Sequence, residues 1–173
     1  MKKIILLTTL IATTMWSDTI TINGTIPPAA IVGFDTPITE NLVDNTFTFK
    51  DIVIDIGSIP LGSKIAPVTK QIYAKTNSST GTTIQIVDHT NPNLGFLSGH
   101  LVDELKSNLV AMKYKLKGSA YSIKNHPTVE LTSGTNDGSS SIGTFVIEQK
   151  NNTSSDQPEG HYGVVFDVII AAQ

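Results

Sequence analysis

The pattern that most constrains this chain is a series of short runs in which apolar and polar residues alternate, each ended by glycine, proline, asparagine or serine. A period of two places the apolar residues of a run on one side of an extended strand, whereas a helix needs a period near 3.6. Threonine occurs 22 times among the 173 residues, and β-branched side chains suit the pleated surface of a sheet. Many short strands separated by turns predict an all-β sandwich.

The alternation predicts strands along most of the chain. The stretches concerned are 18–26, 46–56 with a break near residue 50, 71–76, 82–87, 110–116, 128–132, 145–149 and 162–170. Residues 77–81 separate two of these strands and predict a hairpin loop. Leucines at positions 101, 105 and 109 make this stretch the one candidate for a helix, although a single turn fits the spacing equally well.

The last alternating run is the longest and the most regular, which predicts a strand in the centre of the core. The residues that share its apolar face are Tyr162, Val164, Phe166, Val168 and Ile170. We expect them to point together toward the opposite layer of the sandwich.

The first residues have the pattern of a secretory signal peptide. Lys2 and Lys3 precede a mostly apolar stretch, 4–12, which is too short to span a bilayer. The small residue Ser17 favours cleavage directly after it, so that residues 1–17 form the signal peptide. The mature chain is expected to be exported, and because it contains no cysteine it must be held together by packing alone.

Residues 18–28 form an alternating strand of their own. Ile20, Ile22, Gly24 and Ile26 share one face, and two prolines follow that cannot donate to a ladder. Such a strand can pair with the sheet edge of another molecule, where backbone bonds give affinity and alternate side chains give register. It can equally be the first strand of the chain's own sandwich, and the residues alone leave both interpretations open.

Composition and motifs argue against several functional classes. The twelve cations are all lysine and the formal net charge is −3, which disfavours nucleic-acid binding. The four histidines are far apart, and no metalloprotease, phosphate-loop, nucleophile-elbow or dinucleotide motif is present. We therefore expect no enzyme activity, no metal site and no cofactor.

Several segments, taken in order, carry a resemblance to a known family. Residues 20–27 (ITINGTIP) have a small residue in the middle of an alternating strand and a proline just after it, and the segments 73–77 (YAKTN), 83–86 (TIQI), 139–141 (SSS) and 160–165 (GHYGVV) follow. This collinear set resembles the major pilins of the alpha-class (class 5, colonisation factor antigen I-like) chaperone–usher fimbriae. The absence of cysteine also fits that class, whereas residues 39–70 match it poorly.

The resemblance implies an immunoglobulin-like β-sandwich that lacks one strand and is completed by a donor strand from a neighbouring subunit. Residues 18–28 would then be the donor strand, and residues 29–173 the pilin sandwich domain. The implied function is that of a structural subunit of a bacterial surface fimbria that supports adhesion to host cells.

The same resemblance implies a set of partners and a location. The partners are neighbouring identical subunits, a periplasmic chaperone, an outer-membrane usher and a minor tip subunit, with a host receptor as a further candidate. The subunit would pass through the periplasm to fimbriae on the cell surface. The alternative is a secreted monomeric β-sandwich or a tip adhesin that binds a sugar or protein receptor, and filaments on cells that express the chain would distinguish the two.

Overall fold

A computed structural model describes residues 24–50, 52–89, 99–103 and 108–173. The predicted signal peptide, Ile20 and Ile22 lie outside these ranges. Within them the chain forms strands and no helix, which confirms the all-β prediction. The strands are β1 (Ala30–Phe34), β2 (Phe47–Phe49), β3 (Val68–Thr76), β4 (Thr82–Asp88), β5 (Leu101–Asp103), β6 (Leu109–Val110), β7 (Met112–Leu116), β8 (Ser119–Tyr121), β9 (Val129–Thr132), β10 (Asn136–Asp137), β11 (Gly143–Gln149), β12 (Tyr162–Gly163) and β13 (Phe166–Ala172).

The larger sheet has the strand order β2-β1-β3-β11-β7-β8, and β10 also pairs with β3. Its neighbours run antiparallel except β1 and β2, which are parallel with Ala30 opposite Phe47. The alternation read from the sequence explains β7, because Met112, Tyr114 and Leu116 are buried whereas Lys113 is exposed.

A second sheet, in the order β13-β4-β9, supplies the opposite layer, and a small sheet contains β12, β5 and β6. Apolar side chains of both layers meet in one core, which makes the chain an immunoglobulin-like β-sandwich. The buried core residues are Val32, Phe34, Ile72, Ala74, Ile84, Ile86, Leu101, Val110, Met112, Tyr114, Leu116, Tyr121, Ile123, Leu131, Phe145 and Ile147.

The predicted hairpin around residues 77–81 is wrong. The two strands it joins, β3 and β4, lie in different sheets, so this loop crosses from one layer to the other. A hairpin and a crossover use the same turn residues, and the sequence of the loop does not distinguish them. Gly81 has a φ of 105°, and a Cβ there would lie 2.0 Å from the carbonyl oxygen of Thr132.

The helix considered for residues 101–109 is also wrong. The described residues at its two ends are strands, with Leu101 opposite Val110. Asn108 donates from its backbone nitrogen to Oδ1 of Asp103 at 3.0 Å and from Nδ2 to Oδ2 of the same carboxylate at 2.7 Å. These bonds pair polar groups of residues 103 and 108, five positions apart, beside the β5–β6 pair. A helix would instead need backbone bonds between residues four positions apart.

Two predicted strands differ in extent from the observed ones. Among the described residues of the stretch 46–56, only Phe47–Phe49 forms a strand. The stretch 162–170 divides into β12, which pairs with β5, and β13, which pairs with β4. The strands predicted at 71–76, 82–87, 128–132 and 145–149 are confirmed. In the described part of the chain, no helix of the length and hydropathy needed for a membrane span is found.

Candidate functional site

The inner face of β13 is incompletely covered. Val168 lies opposite Ile86, and Ile170 lies opposite Ile84, in the neighbouring strand β4. The two isoleucines of β4 are 2% and 1% exposed, whereas their partners in β13 are only half-buried. Adjacent strands are about 4.8 Å apart, so the inward side chains become clearly more exposed from β4 to the next strand, β13. Among the described residues β13 pairs with β4 alone, which leaves its other side without a strand partner there.

A second partly exposed row follows the outermost strand of the larger sheet in the chain. That strand, β2, contacts β13 across the end of the sandwich. Beyond β2, residues 52–56 form no strand, yet Ile52, Ile54 and Ile56 are half-buried against the core and Val53 is 96% exposed. The alternation of this stretch was therefore predicted correctly, although its pairing as a strand was not.

Both rows pack against the core, and we call them together the apolar edge. It consists of Val164, Phe166, Val168 and Ile170 in one row and Ile52, Ile54 and Ile56 in the other. All seven side chains are uncharged and partly exposed, and each loses part of the free energy that full burial provides. A ligand that suits such a surface is apolar and extended.

A row of aromatic rings connects β13 with β2 through the core. Phe166 of β13 meets the edge of Tyr114 at 5.4 Å, and Tyr114 stacks on Phe145 at 5.9 Å. Phe145 stacks on Phe34 at 5.6 Å, and Phe34 meets Phe49 of β2 edge-on at 5.3 Å. Such pairs contribute about 0.5–1.5 kcal/mol each beyond their area. The row therefore links Phe166 of the apolar edge to β2 through the core.

Tyr114 is the polar member of this row and remains neutral. Burial, reinforced by the negative charge of Asp88, raises the pKa of Tyr114 far above its usual value. Its hydroxyl donates to the carbonyl oxygen of Gly99. The phenol under Phe166 is therefore fixed in place and offers no ionisable group for chemistry.

Two charged pairs near the apolar edge lie at the surface. Asp167 lies on the outer face of β13, with Oδ2 at 2.8 Å from Nδ1 of His89, and both side chains are exposed. Lys50, just after β2, pairs with Glu40, and that hydrogen bond holds the pKa of Glu40 below its usual value. The inner face also carries a buried carboxylate, that of Asp88, which lies opposite Phe166 and accepts from the backbone nitrogen of Gly99 at 2.8 Å.

The predicted N-terminal residues that can be described lie clear of the sandwich. Ile26 is 82% exposed, and a Cβ placed on Gly24 would meet nothing within 4 Å. Three residues further along, Ala29 is 1% exposed and belongs to the core. Within this molecule Gly24 and Ile26 therefore lie outside the core.

Among the described residues no cluster of three histidine, cysteine or acidic side chains could hold a metal ion. An open depression of about 430 Å³ lies beside Lys117, Thr132 and Asn136, and its lining is mostly polar. Lys117 Nζ is used within the fold, because it donates to the carbonyl oxygen of Leu131 at 2.8 Å.

Comparison with known proteins finds no matching family model and no matching curated protein. A solved structure of a chaperone–tip adhesin complex, described as vital for synergistic activation of CFA/I fimbriae biogenesis, contains a chain to which part of this one is similar. The TM-score is 0.48 at 13% sequence identity, and the alignment covers 72% of this chain. It spans 40% of the length of that neighbour.

Proposed function

We propose that this chain is a structural subunit of a bacterial surface fimbria and that it polymerises by donor-strand exchange. In this proposal the N-terminal strand, residues 18–28, of one subunit lies on the apolar edge of the next. The proposal rests on a difference in burial: Ile86 is buried, whereas its partner Val168 in the neighbouring strand is only half-buried. An added strand beside β13 would cover the half-buried side chains there and pair with its backbone.

The N-terminal segment has the chemistry that this position requires. Ile20, Ile22 and Ile26 repeat every second or fourth residue, and the inward residues of β13 repeat every second residue. Burial of three isoleucines contributes roughly 4–9 kcal/mol before the costs of ordering the strand. Gly24 leaves space at one position of the row, where a bulky neighbour can be accommodated.

The proposal accounts for the partners that such a chain needs. An uncovered strand edge with an apolar face invites aggregation, so a periplasmic chaperone would occupy it until an outer-membrane usher replaces the chaperone with the next subunit. The contact joins two different surfaces, the N-terminal strand and the apolar edge. A heterologous contact that does not close builds a filament, which would end at a minor tip subunit.

The test is a pair of substitutions on opposite faces of one strand. Ile22→Asp places a carboxylate in an apolar site without a partner, which is strongly unfavourable. We expect a soluble subunit that still co-purifies with its chaperone but forms no filament in electron micrographs. The control, Thr21→Asp, changes the opposite face of the strand and should assemble.

Three outcomes contradict the proposal. Ile22→Asp filaments that resist heat in detergent as well as wild type would exclude donor-strand exchange through this residue. Failure of Ile22→Asp to fold with its chaperone would make residues 18–26 an ordinary first strand. Wild-type cells that carry soluble monomer and no filaments would favour the secreted monomeric sandwich or adhesin.

A further inference from the structure

The carboxamide of Asn77 binds the chain where the N-terminal segment joins the sandwich. Its Oδ1 accepts from the backbone nitrogen of Ala29 at 2.7 Å, and its Nδ2 donates to the carbonyl oxygen of Pro27 at 2.9 Å. The carbonyl oxygen of Ala29 accepts from the hydroxyl of Thr76 at 3.0 Å. The backbone nitrogen of Asn77 donates to the same oxygen at 3.3 Å.

The side chain of Asn77 adds hydrogen bonds beyond the end of the β1–β3 ladder, where prolines prevent further backbone pairing. The β1–β3 ladder has Ala30 opposite Thr76 as its last pair, and Pro27 and Pro28 have no N–H to extend it. The side chain of Asn77 supplies one donor and one acceptor at the spacing of a backbone amide. The chain is therefore held by hydrogen bonds up to Pro27.

The exposure of the chain changes abruptly at the root of the N-terminal segment. Ala29 is 1% exposed, whereas Ile26 is 82% exposed. A force applied to the N-terminal segment consequently reaches the sandwich at residues 27–29, where the Asn77 carboxamide makes two of the bonds.

The same loop also binds the residue that follows β13. Gly81 accepts through its carbonyl oxygen from the backbone nitrogen of Gln173 at 3.2 Å, and the hydroxyl of Thr80 donates to the carbonyl oxygen of Gln173. Residues 77–81 therefore contact both the root of the N-terminal segment and the end of the strand that carries part of the apolar edge.

We propose that the Asn77 carboxamide fixes the direction in which the N-terminal segment leaves the sandwich and thereby sets the stiffness of the joint between successive subunits. The part that concerns the filament rests on the proposed function. Without the carboxamide the segment pivots farther inside, at the buried residues 29 and 30. Asn77 is thus a positioning residue that acts on the donor strand through its root.

Two substitutions distinguish the contributions of the two hydrogen bonds that the Asn77 carboxamide makes. Asn77→Ala removes both, whereas Asn77→Asp keeps an acceptor for Ala29 and loses the donor to Pro27. The control is Asn125→Ala, an exposed loop asparagine whose side chain makes no hydrogen bond among the described residues. In the purified mature chain, hydrogen exchange at the Ala29 amide should speed up about tenfold in Asn77→Ala, and less in Asn77→Asp.

The second readout is the filament itself. Both Asn77 variants should give detergent-resistant multimers like wild type, because the donor strand is unchanged, while the persistence length in electron micrographs falls severalfold. Unchanged exchange at Ala29, an unchanged persistence length, or loss of the multimers would each overturn the inference. If Asn77→Ala does not fold, Asn77→Asp decides by the same measurements. Absence of filaments in wild type would refute the proposed function, whereas the exchange rates would still test the fixed direction of the segment.

Discussion

The hydroxyl of Tyr121 lies 2.8 Å from the backbone nitrogen of Ile86 and 3.2 Å from its carbonyl oxygen, accepting from the first and donating to the second. Tyr121 belongs to the larger sheet and Ile86 to the second sheet, so one side chain joins the two layers. It does so beyond Ile84, the last residue of β4 that pairs with β9. The tyrosine hydroxyl thus makes the hydrogen bonds to Ile86 that a neighbouring strand would otherwise make.

We expect Tyr121→Phe to lower the free energy of unfolding by about 1–3 kcal/mol, because it leaves the buried N–H of Ile86 without a partner. Urea unfolding of the mature chain measures this as a lower midpoint with an unchanged slope. Tyr73→Phe is the matched control, since Tyr73 points outward and its hydroxyl makes no hydrogen bond among the described residues. Equal midpoints for the two variants would contradict the role given to Tyr121.

Phe166→Ala should be less damaging than truncation of a fully buried phenylalanine, which costs roughly 3–5 kcal/mol. Phe166 is half-buried and keeps one edge contact with Tyr114, so we expect a loss of about 1.5–2.5 kcal/mol. Thermal or urea unfolding of the mature chain gives the value. Ile169→Ala, on the outer face of the same strand and 51% exposed, is the control and should cost clearly less. Equal losses would show that Phe166 does not support the apolar edge.

Period-two alternation was sufficient to assign the faces of most strands. Met112, Tyr114 and Leu116 point into the core as their spacing predicts, because the pleat alone decides which side a residue faces. The same rule placed Phe166 and Val168 on the inner face of β13. This information is local and needs no knowledge of neighbouring strands.

Pairing and burial depend on distant residues, and here sequence reasoning failed. Residues 77–81 have the composition of a hairpin, yet the partners of β3 and β4 come from other parts of the chain. The half-burial of Val168 follows from the position of β13 at the end of its sheet. The contacts of Asn77 could not be predicted for the same reason, since its partners, Pro27 and Ala29, are about fifty positions away.

Glu148 on β11 carries a pH-dependent contribution to stability. Lys113 Nζ lies 2.6 Å from Oε2, and Lys115 Nζ lies 2.6 Å from Oε1. Hydrogen bonds from Lys113 and then Lys115 lower the pKa of Glu148 to about 2. A glutamate in the unfolded chain titrates near pH 4.3. The stabilisation is therefore complete above that pH and is lost as the pH falls toward 2.

Glu148→Gln should reduce the loss of stability on acidification. We expect the difference in unfolding midpoint between wild type and Glu148→Gln to be largest at pH 6 and to shrink between about pH 4.5 and 2, over the range set by the two pKa values. Glu130→Gln, an exposed glutamate without an ion pair among the described residues, is the control. A difference that stays constant over this range would contradict the pairing with the two lysines.

In one register, the side chains of the proposed donor strand and those of β13 have complementary sizes. If the strand runs antiparallel to β13 and Gly24 lies opposite Phe166, the smallest residue of the donor face meets the largest of the apolar edge, and Ile22 lies opposite Val168. Facing side chains in adjacent strands are about 4.5–5.5 Å apart at Cβ, whereas diagonal ones are about 7–8 Å apart. We expect this register because a parallel strand with the same overlap would instead place Ile22 against the ring of Phe166, where the two bulky side chains crowd each other.

Cysteine pairs test this register directly, because the natural chain contains no cysteine and the expected compartment is oxidising. Ile22→Cys combined with Val168→Cys should form a disulfide between successive subunits, seen as a ladder on a non-reducing gel that collapses on reduction. Ile22→Cys with Phe166→Cys is the matched control and should cross-link poorly, since those positions would be diagonal. The reverse pattern would mean that the donor strand runs parallel to β13. Equal cross-linking by both pairs would mean that no single register exists, and Gly24 would then have no fixed partner on the apolar edge.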